Sequence, residues 1–271
     1  MSNIKDQYTR KNIRSTILKR VIIRIDISGV INFDEFIQKL KKAEFMHQSF
    51  KRMRYLSDTR DSRPLKRIIP RNGTLPLSST IQGEGYHFFD CSIDACSDTH
   101  LFVTPDCISL SINCNEAYGG SEKYTRFMLE IVGLLAESES YINIERVGIR
   151  KIDSVDVRNL QYAREIFDKK FVVIKDFDSC DGIKESTKTS IYLNGEIHFN
   201  VVQHLSQKQS GLYNLVFDVD SYINDDEAVE HYIMNRDEWF NLLYGEMQDK
   251  MFEYFKDVVT VDYLEKCKVQ E

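Results

Sequence analysis

Ser190-Ile191-Tyr192-Leu193-Asn194-Gly195-Glu196-Ile197-His198-Phe199-Asn200-Val201 holds two runs of β-branched and aromatic residues joined at Asn194-Gly195. That dipeptide suits the positive φ angles of a type I′ turn, so the segment predicts two antiparallel strands meeting in a tight hairpin. A lone hairpin is marginal in water and needs more strands or a helix against its apolar side. Candidates flank it. A short helix is expected near 159–168, a strand at 171–175, a polar segment at 176–188 and a strand at 211–220. Residues 226–257 read as one long helix, on which Phe240, Leu243, Tyr244, Met247, Met251, Tyr254, Phe255 and Val258 form an apolar stripe.

The other half reads as alternating elements. Residues 20–28 form a β-branched strand, and Gly29 breaks it. Asn32 caps a helix whose Asp34 and Glu35 sit at its positive end, with Phe33, Phe36, Ile37 and Leu40 on one face. Strands are expected at 86–93 and 101–113, the second alternating through Ile108, Leu110 and Ile112. Ser121 then caps an amphipathic helix carrying Tyr124, Phe127, Met128, Ile131, Leu134 and Leu135, and a strand follows at 142–152. The order β-α-β-β-α-β is that of a ferredoxin-like, split-βαβ unit. The expectation is an α+β protein with antiparallel sheets and helices packed on one face. Its first half, 1–155, carries a basic insertion at 46–85, and its β-rich second half, 156–271, is closed by the long helix.

At 271 residues and 42% hydrophobic, the chain can bury a substantial core. Residues 1–14 are polar and charged, unlike a secretory signal, and no window approaches a membrane span, so a soluble cytoplasmic protein is expected. Cys91, Cys96, Cys107, Cys114, Cys180 and Cys267 fit buried free thiols in a reducing compartment better than a disulfide framework. A zinc reading would draw on Cys91-x4-Cys96-x3-His100, with Cys107 or Cys114 as a further ligand, but it lacks paired short-spaced ligands.

Charge is divided along the chain. Residues 1–71 hold 18 Lys/Arg against 7 Asp/Glu, leaving 18 against 35 in 72–271, so a near-neutral whole hides a basic start and an acidic remainder. The division suggests an interaction surface. Its centre is the turn-rich segment with Lys51, Arg52, Arg54, Tyr55, Arg60, Arg63, Lys66, Arg67 and Arg71, near His47 and Phe50. Cations interleaved with aromatics suit RNA or single-stranded DNA, and cations alone suit an acidic protein surface. A solvated loop is the plainer alternative.

Three segments together resemble a sporadically distributed, uncharacterised bacterial family. Glu145-Arg146-Val147-Gly148-Ile149-Arg150-Lys151-Ile152-Asp153 is similar to its Arg-Val-Gly-Leu-Arg-Tyr strand, and Leu215-Val216-Phe217-Asp218-Val219-Asp220 to its Leu-x-Asp-x-Asp strand. The aromatic Phe252-Glu253-Tyr254-Phe255 running into Val259-Thr260 is similar to its closing helix. The resemblance implies a bacterial cytosolic α+β protein of mobile or phage-defence gene neighbourhoods, with no settled catalytic chemistry.

Arg146 and Arg150 lie four apart in a strand and so share a face, where they could clamp a phosphate or carboxylate. Asp218 and Asp220 also share a face, as metal-binding carboxylates would, with Asp26 or His198 as conceivable third ligands. The more economical expectation is an ion pair between one of these aspartates and one of these arginines on neighbouring strands. The six histidines show no ligand spacing, and no nucleophile elbow, Walker loop, dinucleotide fingerprint or His-Glu-x-x-His occurs. No cofactor or metal is therefore expected. The expected function is a non-enzymatic, homo-oligomeric binding or regulatory subunit of a bacterial defence complex, with an ATPase or nuclease partner supplying the chemistry. The alternative is a metal-independent RNA-processing enzyme using a base such as His47. A metal-dependent nuclease built on Asp218 and Asp220 ranks last.

Overall fold

The computed structural model describes residues 4–30, 32–56, 84–93, 98–115, 118–138, 142–171, 184–227, 229 and 235–269. Its strands are β1 (Leu18–Ser28), β2 (Phe50–Leu56), β3 (Gly85–Cys91), β4 (Thr99–Thr104), β5 (Cys107–Asn113), β6 (Asn143–Val157), β7 (Glu185–Asn194), β8 (Ile197–Gln207) and β9 (Tyr213–Ile223). The helices are α1 (Phe33–Lys42), α2 (Glu44–Ser49), α3 (Glu122–Ser138), α4 (Leu160–Ile166), α5 (Arg236–Phe240), α6 (Met247–Val258) and α7 (Val261–Lys266), with a π-helical segment at Asn241–Glu246. The strands form an antiparallel sheet in the order β2-β3-β4-β5-β1-β6-β9-β8-β7, which makes the protein α+β. Among the described residues no helix is long and apolar enough to cross a membrane.

Two compact units divide the chain: Arg20–Ile149 with Tyr222–Tyr244, and Met1–Lys19 with Arg150–Ser221 and Gly245–Glu271. Strands β1, β6 and β9 each give residues to both, so a single cut near 155 does not describe them.

In the unit built on Arg20–Ile149, β2 to β5 form a meander. Register places Val21, Ile23 and Ile25 of β1 opposite Ile112, Leu110 and Ile108 of β5, while Leu101 and Val103 of β4 face Leu110 and Ile108 from the other side. All of these are buried. Phe127 of α3 meets Phe45 and Phe50 at ring separations of 5.7 and 5.6 Å, on the face where Phe50 also meets Phe88. The Asn32 side chain accepts from the Glu35 backbone N–H and caps α1, whose Phe36, Ile37 and Leu40 are buried.

Two expectations change here. The strand predicted over 101–113 is a hairpin, because Thr104 pairs with Cys107 and leaves Pro105-Asp106 as its turn. Proline lacks the N–H a central strand needs, so the ladder breaks there. The start of the basic segment, in which the sequence pattern resolves no element, forms the end of α2 and all of β2. The meander thus has four strands where a split βαβ has two.

In the other unit the hairpin stands at β7 and β8, with its turn displaced by one residue. Asn194 pairs with Ile197, so Gly195-Glu196 is the loop, and Gly195 alone has positive φ (+60°). That is the II′ pattern, which needs glycine only at the first loop position. Tyr254 of α6 meets Tyr192 and Phe199 at 5.0 and 5.5 Å, and Phe255 meets Phe217 at 6.2 Å. The single long helix expected over 226–257 is interrupted: α5 starts after the Asn235 cap, the π-helical segment follows, and α6 stops at an extended Val259. Thr260 then caps α7 by accepting from Tyr263 N–H. The strand expected at 171–175 lies almost wholly outside the described residues.

Gly85 opens β3 where a Cβ would lie 2.5 Å from the Val103 carbonyl oxygen and 2.8 Å from Thr104 Cγ2. Backbone cannot yield as a side-chain tip can. Gly85→Ala should therefore cost about 1–3 kcal/mol in urea denaturation.

Candidate functional site

Strand β2 ends the hydrogen-bonded order, with β3 as its neighbour, and no other described strand pairs with its outer edge. Lys51, Arg52, Met53, Arg54 and Tyr55 are consecutively exposed between buried Phe50 and Leu56. Alternation puts Lys51, Met53 and Tyr55 on one side and Arg52 and Arg54 on the other. Arg52 reaches the Asp90 carboxylate at 3.6 Å. Asp90 is, among the described residues, the non-glycine residue with positive φ (+62°), a conformation aspartate tolerates better than most.

The face bearing Arg52 and Arg54 continues inward as a polar layer. Arg54 is opposite His87 in register, His87 opposite Phe102, and His100 opposite Ser111. Arg54 Nε donates to His87 Nδ1 at 3.0 Å, His87 Nε2 meets His100 Nδ1 at 2.9 Å, and His100 Nε2 meets Asp98 Oδ1 at 2.7 Å. Asn113 Nδ2 donates to Asp98 Oδ2 at 2.5 Å, and Arg20 Nε donates to Asn113 Oδ1 at 3.0 Å. Protonation along this chain follows from chemistry. A guanidinium only donates, so His87 Nδ1 must accept and Nε2 carries the proton; His100 then accepts at Nδ1 and donates to Asp98.

Burial first, with the His100 and Arg54 charges acting in the same direction, lowers the His87 pKa to about 3. Only 3% of His87 is exposed, and its ring stacks on Phe102 at 4.4 Å. Burial alone would raise the Asp98 carboxyl, but hydrogen bonds from Asn113 and His100 hold it below its usual value. No nitrogen of either ring is left to take a proton from a substrate, so this chain is not a poised general base.

Further along the same layer, Arg24 Nε donates to Asp26 Oδ1 at 2.6 Å, and Arg146 approaches Asp26 Oδ2 at 3.8 Å while lying 4.4 Å over the Tyr222 ring. Asp26 is thus held by arginines rather than presented as a metal ligand. Burial pushes the neighbouring Cys107 thiol up to about 12, which leaves it no thiolate reactivity.

In the other unit, Arg150 forms a bidentate pair with Asp218: Nε donates to Oδ1 at 2.8 Å, and a second guanidinium N–H donates to Oδ2. Asp218 is 2% exposed. Burial opposes the charge of Arg150, and Asp218, with Asp220 nearby, more than restores it. Arg146 and Arg150 therefore serve different carboxylates. Three residues on in β6, Asp153 accepts from Ser15 Oγ at 3.2 Å. Burial raises its pKa to about 7, against the opposing pull of Lys151 and Ser15.

Among the described residues no three His, Cys, Asp or Glu side chains converge as metal ligands would. Cys91, Cys107 and Cys267 are buried free thiols and Cys114 is half-buried. Both ring nitrogens of His100 are engaged, and Cys96 and Cys180 lie outside the described residues. His47 is exposed on α2. Arg60, Arg63, Lys66, Arg67 and Arg71 also lie outside the described residues. Sequence reasoning missed the His87–His100 contact because the two residues are joined by strand pairing, not by spacing. The alternating strand patterns around each were the available signal.

No family model and no curated protein matches the chain. Among solved structures it is similar to the S. pombe Pct1 RNA triphosphatase in complex with the Spt5 CTD, at 9% identity over 90% of this chain and 85% of that one, with a TM-score of 0.17. A likeness at that level carries no argument about fold or activity.

Removing one partner of a buried pair strands the other charge, so Arg150→Met should cost about 3–5 kcal/mol, whereas Arg150→Met with Asp218→Leu should recover most of it. Chemical denaturation of both variants decides between a structural and a dispensable pair. Asp153 has a native pKa above that of the unfolded chain, so the native state alone holds its proton between the two values and stability falls as pH rises through them. Asp153→Asn should remove that slope between about pH 4 and pH 7 and stabilise the protein by on the order of 1–4 kcal/mol at about pH 8.

Proposed function

We propose that the protein is a non-enzymatic binding or regulatory subunit that takes an acidic, extended protein segment along the outer edge of β2. One observation carries this reading: an edge strand with five consecutive exposed residues, three of them cationic, of which only Arg52 faces a carboxylate among the described residues. The outer backbone groups of an edge strand can pair with an added strand, which supplies affinity independent of sequence. Lysine and arginine on such an edge repel a second copy of it, so the strand that adds must carry the opposite charge. Met53 and Tyr55, 41% and 50% exposed, add apolar contact area. The family resemblance supports an anti-phage defence complex as the setting, with an ATPase or nuclease doing the chemistry.

A second reading, RNA or single-stranded DNA on the same strand, is favoured by the half-exposed Tyr55 ring on the side that also carries Lys51, since bases stack on such rings.

A fluorescent oligo-aspartate peptide and a fluorescent oligouridylate of equal charge separate the two by anisotropy. The peptide should bind in a salt-sensitive manner and weaken by about tenfold or more, roughly 1.4 kcal/mol, in Lys51→Glu/Arg52→Glu. Preferential binding of the oligouridylate would transfer the edge to the second reading. Affinity for both probes indifferent to the charge reversal would overturn both.

A further inference from the structure

We propose that capture of an acidic segment at β2 is coupled to uptake of one proton by the His87–His100 pair, through release of Arg54 from His87. The inference rests on the binding reading above and adds its regulation. In the free protein Arg54 occupies His87 Nδ1 at 3.0 Å, and the far end of the chain is closed by Asp98 on His100 at 2.7 Å. Every hydrogen points the same way, from Arg54 toward Asp98. A proton added to either ring reverses one bond: it would set an imidazolium N–H against either the Arg54 guanidinium or the other ring's N–H. The chain therefore admits a proton only if Arg54 leaves.

Arg54 is exposed, and its described partners are the neutral His87 ring and the face of Phe89, 5.8 Å away. A partner carboxylate offers that guanidinium a charged, bidentate acceptor in place of a neutral nitrogen. Once Arg54 turns outward, His87 Nδ1 is open to a proton from water, and the new imidazolium adds to the attraction for the bound carboxylate. The groups facing the pair are Arg54 from β2, Asp98 ahead of β4, and Arg20 from β1 acting through Asn113 of β5. Asp98 stabilises the protonated pair, whereas Arg54 in its free-state position opposes it. Burial is the largest cause of the low His87 pKa, and the Arg54 charge adds to it in the same direction, so a proton enters only when Arg54 leaves and water takes its place at Nδ1. Linkage then requires the partner to bind more tightly as pH falls.

The test follows binding of the oligo-aspartate peptide to the full chain. If the departure of Arg54 lets water reach Nδ1, so that the burial that dominates the low His87 pKa is relieved and an ordinary imidazole pKa returns, the dissociation constant should fall about tenfold between about pH 7.5 and about pH 5.5. In His87→Gln, which keeps an acceptor but cannot titrate, this dependence should disappear. Binding with a flat pH profile, or an unchanged profile in His87→Gln, would overturn the coupling while leaving the binding reading in place. Failure of the peptide to bind at either pH would instead overturn the binding reading and this inference with it. Arg54→Met guards against misfolding of the buried variant, because Arg54 is exposed. By NMR its His87 ring should titrate at a higher pH than in the parent protein, and an unmoved titration would also overturn the proposal.

Discussion

The period-two alternation of strand side chains, locked by antiparallel register, is the constraint on which the rest of the Arg20–Ile149 unit depends. Val21, Ile23 and Ile25 meet Ile112, Leu110 and Ile108, so the apolar set lies on one face. A slip of one residue in any strand would turn that set toward the opposite side. With the apolar residues committed, Arg20, Arg24, Asp26, His87, His100 and Arg54 can only gather on the second face. The histidine chain is thus a by-product of building the core, assembled from residues far apart in sequence.

A polar layer of this kind is tolerated only when its members satisfy one another, because a buried donor or acceptor left alone loses its water without compensation. The pairing is correspondingly full: Arg24 with Asp26, Arg20 with Asn113, Asn113 with Asp98, and His100 with Asp98 and His87. The other unit solves the same problem with Arg150 on Asp218, Lys208 on Asp156, and Asn214 on Ser154 and Asp156. Most of what looked like candidate chemistry is therefore engaged in holding the protein together. Asp218 of β9 is a case in point, since its carboxylate is filled by a guanidinium.

The basic start of the chain is divided by the same logic. Arg10 bonds Asp249 at 2.8 Å, Arg24 bonds Asp26, and Lys39 reaches Glu35 at 3.1 Å, so part of the positive charge is neutralised within the chain. On β2 the balance differs: Arg52 has an exposed contact to Asp90, and Arg54 has a histidine. There the excess of cations is structurally placed rather than statistical. The partly conditional state of Arg54, bonded to a neutral ring instead of a carboxylate, is what links the edge to the layer behind it.

From the amino-acid order alone came the α+β class, the helix capped by Asn32, the helix that begins after Ser121, and the strands around 20–28, 86–93, 142–152 and 211–220. These features depend on contacts within a few residues: a cap, a 3.6-residue stripe, a two-residue alternation. The Pro105-Asp106 break and the Gly195-Glu196 turn were present in the sequence too, but strand pairing selected among local alternatives that propensity leaves nearly equal. What only tertiary structure decided is which strands are neighbours. That choice set β2 at an edge, gave Arg150 to Asp218 and Arg146 to Asp26, and brought His87 against His100. The reason is physical: a hydrogen bond between strands is specified by register and burial, and neither is a property of any one segment.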